Sequence, residues 1–381
     1  MIRKRILLAS LLKPVSDTRL FEKIGLALAQ MPQAEVHVAG FRAPLPGSAA
    51  GSSNLHFHPV FHFKRLSWGR LKAQRTYWKL LQRVKPHLLI VGTHELLPLS
   101  WWYCRANTCK LVYDVQENYF LNLTTQEVYG GFWGKLLGQL VRGMEKALAP
   151  RISHFFLAER SYAQELPFLS HRYTILENKY LPVPTLDATF RKTPVKLAEH
   201  LPLRLLYSGT ISRLYGVREA VAFTRQLRQW VPQAELTIIG YSAETAFLEE
   251  LRRLIAPLPF VQLMGGDRLV PHQEIVAQEQ LHHIGLLPYR PHPSTFSCIP
   301  TKLYEYLGNG LVIITEENPL WQAILEETNA GVTLSFAEGL TAEKVEVLLG
   351  QPYYQQGIPP QVFWREEADQ VRSVARALLN L

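Results

Sequence analysis

The chain has 381 residues, 47% hydrophobic and 19% charged, which excludes a disordered chain and exceeds what one hydrophobic core usually serves, so two domains are expected. The formal net charge of +9 is lopsided, with 24 Lys and Arg against 11 Asp and Glu through residue 180 and 17 against 21 after it. The basic surface therefore belongs to the first half and implies an anionic partner there: a membrane, a nucleic acid or an acidic substrate.

The opening "MIRKRILLASLLKP" has the basic start and short apolar core of a signal peptide. Its apolar run ends at Lys13-Pro14 without a cleavage site, so "RILLAS" reads as a first buried strand. A polar loop, "LLKPVSDT", and a helical stretch, "RLFEKIGLALAQ", lead through a Pro-Gln-Ala-Glu turn to a second apolar strand, "EVHVAG".

Phe63 and Lys85 bound a stretch with eight Lys or Arg and no acid, interleaved with Trp68, Leu71, Tyr77, Trp78, Leu80 and Leu81. Such a stretch can lie on an anionic bilayer, or be a helix whose apolar side packs on a sheet under a basic outer face. "HLLIVGT" and "KLVYDV" are further buried strands, and His94 closes the first of them. Trp101, Trp102 and Tyr103 offer a second aromatic contact, and "FWGKLLGQLVRGMEKAL" is expected as a buried helix of the first domain. Cys104, Cys109 and Cys298 show neither CxxC nor zinc-type spacing, which points to a reducing compartment without structural disulfides. No run approaches the roughly 20 apolar residues of a membrane span.

Residues 181–201, with Pro182, Pro184 and Pro194, lack periodicity and read as a linker. Beyond it the chain repeats itself. "MPQAEVHVAGF" at 31–41 returns as "VPQAELTIIGY" at 231–241, preceded each time by strand, polar loop and helix: "RLLYSG", "TISRLYG" and "VREAVAFTRQLRQW" in the second copy. Two apolar strands joined by a helix form a right-handed βαβ unit of a parallel sheet. One unit at the head of each half predicts an α/β chain of two Rossmann-like domains. The expected division is 1–180, a linker at 181–201, 202–360, and an amphipathic helix at 361–381 carrying Val371, Val374, Ala375, Leu378 and Leu379.

Ligands of open parallel sheets bind at the C-terminal ends of strands. The loop after Leu206 holds Gly209, Thr210, Ser212 and Arg213: a close-approach glycine, free N–H groups of the next helix, and a guanidinium suited to phosphate. An ordinary loop with a solvated arginine is the bland alternative. Neither GxGxxG nor GxxxxGK[ST] occurs. After the strands "HHIGLLPY" and ahead of "LVIIT", the stretch "IPTKLYEYLGNG" has Pro300 at a helix start and a Gly-Asn-Gly stop. Lys302 and Glu305 share a face while Leu303 and Leu307 turn to the core. Lysine for phosphate and carboxylate for ribose hydroxyls would suit one nucleotide; a surface salt bridge worth about 0–1 kcal/mol is the alternative.

"IPTKLYEYLGNGLVIIT" resembles the "P-x-K-L-x-E-Y-x-x-x-G-x-x-V-I" stretch of GT-B glycosyltransferases of the group 1, family 4-like class. "LVYDVQENY" resembles that family's "YD-x-H-E-N" stretch, "LYSGTISRLYGVREAV" its phosphate-binding loop, "ILENKYLP" its end-of-domain segment, and "KPVSDTRLFEK" its first loop. The likeness spans nearly the whole chain in order. It implies two Rossmann-like domains facing each other across a cleft, with a C-terminal helix crossing back to the first domain. It also implies transfer of a sugar from a nucleotide-diphosphate sugar to a glycan or lipid-linked acceptor, with retention at the anomeric carbon. Gly209, Thr210, Arg213, Ser297, Lys302 and Glu305 would bind the donor. Arg213 and Lys302, with His94, would serve catalysis, and Asp17, Arg19, Asp114, Gln116 and Glu117 would line the acceptor side. The sequence departs from the pattern at Ser297, where many members carry a glutamate, at Tyr215, where a lysine often stands, and at Gln116, the family's histidine. Those departures leave open a nucleotide-sugar-binding protein or epimerase of the same fold.

No DxD pair offers a metal clamp, so no metal or other cofactor is expected. The leaving diphosphate would be stabilised by Arg213, Lys302 and loop N–H groups. The basic first half suggests a cytoplasmic protein, peripheral on the inner face of the membrane. A nucleic-acid partner is not expected, because no helix-turn-helix, RNP-type or zinc motif accompanies the charge.

Overall fold

The structure is a computed structural model that describes residues 3–44, 53–63, 67–125, 131–183, 193–293 and 295–381. It divides into two compact units, Met1–Asn178 with Trp364–Leu381, and Lys179–Phe363.

The first unit carries β1 (Lys4–Pro14), β2 (Ala34–Phe41), β3 (Leu55–Phe61), β4 (Leu88–Val91), β5 (Lys110–Val115), β6 (His154–Leu157) and β7 (Tyr173–Ile175). They lie in the order β3-β2-β1-β4-β5-β6-β7, with every neighbouring pair parallel. The second unit carries β8 (Arg204–Thr210), β9 (Glu235–Tyr241), β10 (Val261–Gly266), β11 (Ile284–Leu287), β12 (Val312–Thr315) and β13 (Gly331–Thr333). Their order is β10-β9-β8-β11-β12-β13, again all parallel. Both are doubly wound sheets whose order reverses beside the first strand, β1 or β8, the switch point at which such folds bind ligands. Helices cover both faces, which is why Ile6, Leu7, Leu8, Leu205, Leu206 and Ile284 are all fully buried.

The internal repeat is structural. β1 and β2, like β8 and β9, are parallel neighbours joined through a helix, and Arg5 pairs with Glu35 in register as Arg204 does with Glu235. The likeness reaches a residue the sequence comparison passed over. The Arg5 N–H donates to His87 Nδ1 at 3.0 Å, and the Arg204 N–H donates to His283 Nδ1 at the same distance. Each histidine N–H returns a bond to the arginine carbonyl, at 2.8 and 2.9 Å.

"RILLAS" lies within β1, paired on both sides. Five strands escaped the sequence reading: β3, β6, β7, β10 and β13. β3 contains Pro59 and lies at the sheet edge, where proline is tolerated because one side of the strand has no ladder to break.

In the basic stretch, a helix Gly69–Val84 buries Ala73, Tyr77, Leu80, Leu81 and Val84, while Trp68 is 83% and Leu71 62% exposed. Residues 64–66 of that stretch lie outside the described residues. The helix Gly131–Leu148, expected to be buried, is only partly so. It sinks Val141 and Glu145 but leaves Leu136, Leu137 and Leu140 exposed, because its apolar stripe is wider than its neighbours cover. The three cysteines are free thiols.

The C-terminal helix Arg365–Leu379 belongs to the first unit. It buries Val371, Ala375 and Leu379, Arg372 donates to Gln30 at 2.8 Å, and Lys23 lies 5.5 Å from the Trp364 ring. Of the expected linker, residues 184–192 lie outside the described residues. Val195 exchanges backbone hydrogen bonds with Tyr353, and it and Leu197 are buried in the second core.

Candidate functional site

The helix Thr301–Gly308 follows Pro300 and ends where Gly310 takes φ 67°. Leu303 and Leu307 are fully buried. With that face committed to the core, Lys302 and Glu305 share another, and they form an ion pair. The pair is not the surface salt bridge of the alternative reading. Its side chains are only 13% and 8% exposed, and a third ionisable group, Glu279, is fully buried with Oε1 3.3 Å from Lys302 Nζ.

Glu279 also accepts from Asn309 Nδ2 at 2.9 Å and from Ser208 Oγ at 3.3 Å. His272 Nε2 is 3.2 Å from Glu305 Oε1. Ser208, near the end of β8, contributes its N–H to the Tyr306 hydroxyl at 3.0 Å. The helix His272–Leu281 delivers two of these groups: His272, Val276 and Glu279 fall on one face, two turns long.

The electrostatics follow from burial and pairing. Burial pushes Glu279 up to about 8, with the Glu305 charge adding to it and Lys302 opposing. Burial also opposes the charge on Glu305, yet Lys302 and His272 outweigh it and hold that carboxyl far below the usual range. Lys302 is likewise desolvated, but Glu305 and Glu279 raise it above the ordinary lysine value. At neutral pH the cluster holds a lysine cation, one carboxylate and one carboxylic acid, so the near-neutral sum makes it tolerable inside a protein.

The β8 loop meets this cluster through Gly209. Its φ is +120°, and a Cβ there would stand 3.7 Å from Lys302 Cε. Thr210 is exposed, and its carbonyl accepts from the Tyr207 hydroxyl at 2.7 Å. Gly216 opens the next helix, Val217–Leu227, at φ +69°, packed so close to Pro288 that a Cβ would fall 1.8 Å from its carbonyl oxygen.

Arg213 is not brought to Lys302. It is half-exposed, donates to Glu250 at 2.7 Å, and sits 4.6 Å over the Phe247 ring. Glu250 also pairs with Arg218. One helix, Thr245–Ile255, thus offers both an aromatic face and a carboxylate, and the guanidinium takes them. Ser297 is exposed, in a turn pinned where Asn318 donates to the Phe296 carbonyl and Trp321 to that of Cys298, both at 2.8 Å.

In the first unit, Arg19 and Asp114 are a buried ion pair rather than a ligand surface. Arg19 is 6% and Asp114 0% exposed, and the guanidinium reaches both carboxylate oxygens at 2.7–3.1 Å. It also donates to the Leu176 carbonyl and Asn178 Oδ1, each at 2.8 Å, tying the segment after β7 to the first helix, Thr18–Gly25. Asp17 caps that helix, accepting from the N–H groups of Arg19 and Leu20 at 3.1 and 2.9 Å. Gln116 donates to Asp114 at 2.9 Å. Glu117 stays accessible, bonded to Asn122 at 3.1 Å and 3.9 Å from Lys13. His94 is largely covered, its ring edge against Tyr119 with centroids 4.3 Å apart, and its Nδ1 makes no hydrogen bond. Burial lowers its pKa, so the ring is neutral with a nitrogen to spare.

Glu279, His272, Asn309 and Ser208 were missed in the sequence. The signal that could have found the first two is a histidine and a glutamate seven apart on a helix with Val276 between them.

No family model matches the chain, and neither does any curated protein sequence. Solved structures do match over its whole length. Sucrose-phosphate synthase from Thermosynechococcus elongatus superposes with a TM-score of 0.70 at 14% identity, covering 99% of this chain and 100% of that one. HepE of Anabaena, in complex with UDP-glucose, gives 0.63 at 11%, covering 98% and 99%. WaaG, a glycosyltransferase involved in lipopolysaccharide biosynthesis, gives 0.59 at 14%, covering 97% and 95%. The chain has the α/β GT-B fold of glycosyltransferases.

Proposed function

We propose that the protein is a nucleotide-sugar-dependent glycosyltransferase whose donor site is built on the second unit. The observation that carries this reading is the buried Lys302–Glu305 pair, backed by Glu279 and His272 and set against Gly209 at the end of β8. A carboxylate held fully ionised is a strong acceptor for ribose hydroxyls, and a permanently charged lysine is a strong donor to diphosphate oxygens. The donor would replace part of the Lys302–Glu305 contact with its own hydroxyls and phosphates. Arg213 joins the phosphates only by leaving Glu250.

The chemistry is displacement of the nucleoside diphosphate with retention at the anomeric carbon. Lys302 and the N–H groups of the β8 loop stabilise charge on the leaving group, without a metal. His94, neutral and with an Nδ1 that makes no hydrogen bond but lies 3.7 Å from Glu95 Oε2, is the first-unit candidate for proton handling, with Glu117 the accessible acid of that region. The acceptor is a glycan or lipid-linked glycan of the cell envelope. A second reading, a nucleotide-sugar binder or epimerase of the same fold, is favoured by Ser297, which offers a hydroxyl where a sugar-binding carboxylate would stand.

Thermal-shift measurement with UDP-, GDP-, ADP- and TDP-sugars tests the donor, since stabilisation follows affinity. Glu305→Ala removes a charge-assisted pairing of about 1.5–3 kcal/mol, roughly ten- to a hundredfold in donor affinity. Because it also leaves Lys302 with Glu279 as its remaining carboxyl partner, Glu305→Gln is measured beside it. Calorimetry that finds unchanged affinity in folded variants rejects the assignment. Released diphosphate without a new glycoside, or interconversion of two sugars, selects the second reading.

A peripheral, cytoplasmic-face membrane location is part of the same proposal. No described helix is long and apolar enough to cross a membrane. Trp68, Leu71, Trp102, Leu136, Leu137 and Leu140 are exposed on the unit that carries the excess positive charge, a combination suited to an anionic surface. The protein is expected to float with anionic liposomes at low salt and to be released by raised salt; absence of binding at low salt rejects this part.

A further inference from the structure

The first sheet ends at an edge where β3 lies beside β2, and that edge is rich in histidine. Side chains alternate along a strand, so Glu35 and His37 share one face of β2, and His56 and His58 one face of β3. The register sets His37 beside His56. Its ring stacks against both neighbours, with centroids 4.8 Å from His56 and 5.2 Å from His58.

His37 is 8% exposed, its Nδ1 hydrogen-bonded to His58 Nε2 at 3.0 Å. Its other nitrogen, Nε2, is buried and makes no hydrogen bond. A buried polar atom without such a bond is costly and demands a reason. Glu35 Oε1 lies 3.6 Å from that nitrogen and 3.2 Å from His56 Nε2. The three ligating atoms all fall within 4.8 Å of one another.

We propose that Glu35, His37 and His56 form a structural site for a zinc-class divalent transition-metal ion. Ligands at about 2.0–2.1 Å around a tetrahedral ion stand about 3.3 Å apart, close to the two separations that Glu35 makes. Two imidazoles and one carboxylate are the donors such an ion prefers, whereas magnesium and calcium require oxygen sets. A hydrogen bond from His37 Nδ1–H to His58 leaves the His37 Nε2 lone pair facing the ion, and His58 thus acts as the positioning residue. His56 is 43% exposed at its side chain, which leaves an entry path and room for a water as fourth ligand. Arg5 and Arg83 lie within electrostatic reach of the histidines; the Glu35 carboxylate offsets them. The ion would staple β2 to the edge strand β3, which has no outer neighbour and is interrupted by Pro59. It takes no part in the donor chemistry.

The test uses the full-length, untagged protein, stripped with a chelator and dialysed free of it. Zinc is titrated by calorimetry and cobalt(II) by visible absorption. The expected result is one saturable equivalent per chain, ligand-field bands of near-tetrahedral cobalt, and a higher melting temperature with zinc. His56→Gln and Glu35→Gln, both at partly exposed positions, are each expected to weaken binding more than about tenfold, with nucleotide-sugar binding unchanged. His171→Gln, at an exposed histidine elsewhere in the unit, should bind zinc as the parent does. Absence of saturable binding, or wild-type affinity in both folded site variants, overturns the proposal.

Discussion

Glu279 shows how much a single residue can carry. Its ordinary carboxyl value is 4.5 and its folded value about 8. Between those values the folded protein holds a proton that the unfolded chain releases. The stabilisation from this group is therefore complete below about 4.5, falls as pH rises, and is gone above about 8. Glu305 behaves in the opposite sense: its pKa is depressed, so its contribution is present above the usual carboxylate range and lost as pH falls. Glutamine mimics the protonated acid in shape, so Glu279→Gln is expected to flatten the decline of melting temperature between pH 5 and 8. Thermal unfolding across that range checks it, and an unchanged slope would place the proton on another group. At this scale the sequence showed Lys302 and Glu305 as neighbours on a face. It did not show Glu279, 23 residues before Lys302, because that proximity is made by two separate helices packing against each other.

At the scale of elements, the β8 loop depends on Gly216. Its positive φ disfavours any side chain, and the carbonyl of Pro288 occupies the space a Cβ would need. Gly216→Ala is expected to cost more than about 1 kcal/mol and to weaken donor binding by displacing the loop from the Lys302 cluster. Gly143→Ala is the comparison: it lies at an exposed position within the helix Gly131–Leu148, with nothing within 4 Å of the new methyl, and should be neutral or stabilising by up to about 1 kcal/mol. Chemical denaturation of both variants decides; equal stability losses would contradict the loop argument. Strands with unbroken apolar runs, such as "LLIV" and "VIIT", were legible in the sequence. β3 was not, because "LHFHPVF" alternates polar and apolar residues around a proline, the pattern of a half-covered edge. β13 spans three residues, too few for any periodicity.

For the whole molecule, the largest consequence of the fold is where the chain's end goes. Its last helix joins the first unit, so deletion of residues 364–381 should uncover the apolar surface beneath Val371, Ala375 and Leu379 and leave the second unit's core intact. Hydrogen exchange is expected to rise in the first helix and β4 and to stay unchanged in β8, β9 and β11; uniform loss of protection, or none, would contradict this. The helix itself was readable from its apolar spacing. Its destination came from the family resemblance, since an amphipathic helix does not state which surface it covers.

The sequence by itself determined the central strands of two parallel sheets, their common βαβ start and the helix that bears Lys302 and Glu305, because these rest on local periodicity and on a repeat spaced two hundred residues apart. The tertiary structure alone decided that Lys302 and Glu305 are buried with Glu279 and His272. It also decided that Arg213 is held by Glu250, that Arg19 is consumed by Asp114, and that Glu35, His37 and His56 converge at a sheet edge. Each of these is a contact between elements distant in the chain, and the desolvation that sets its charge state exists only once those elements have packed.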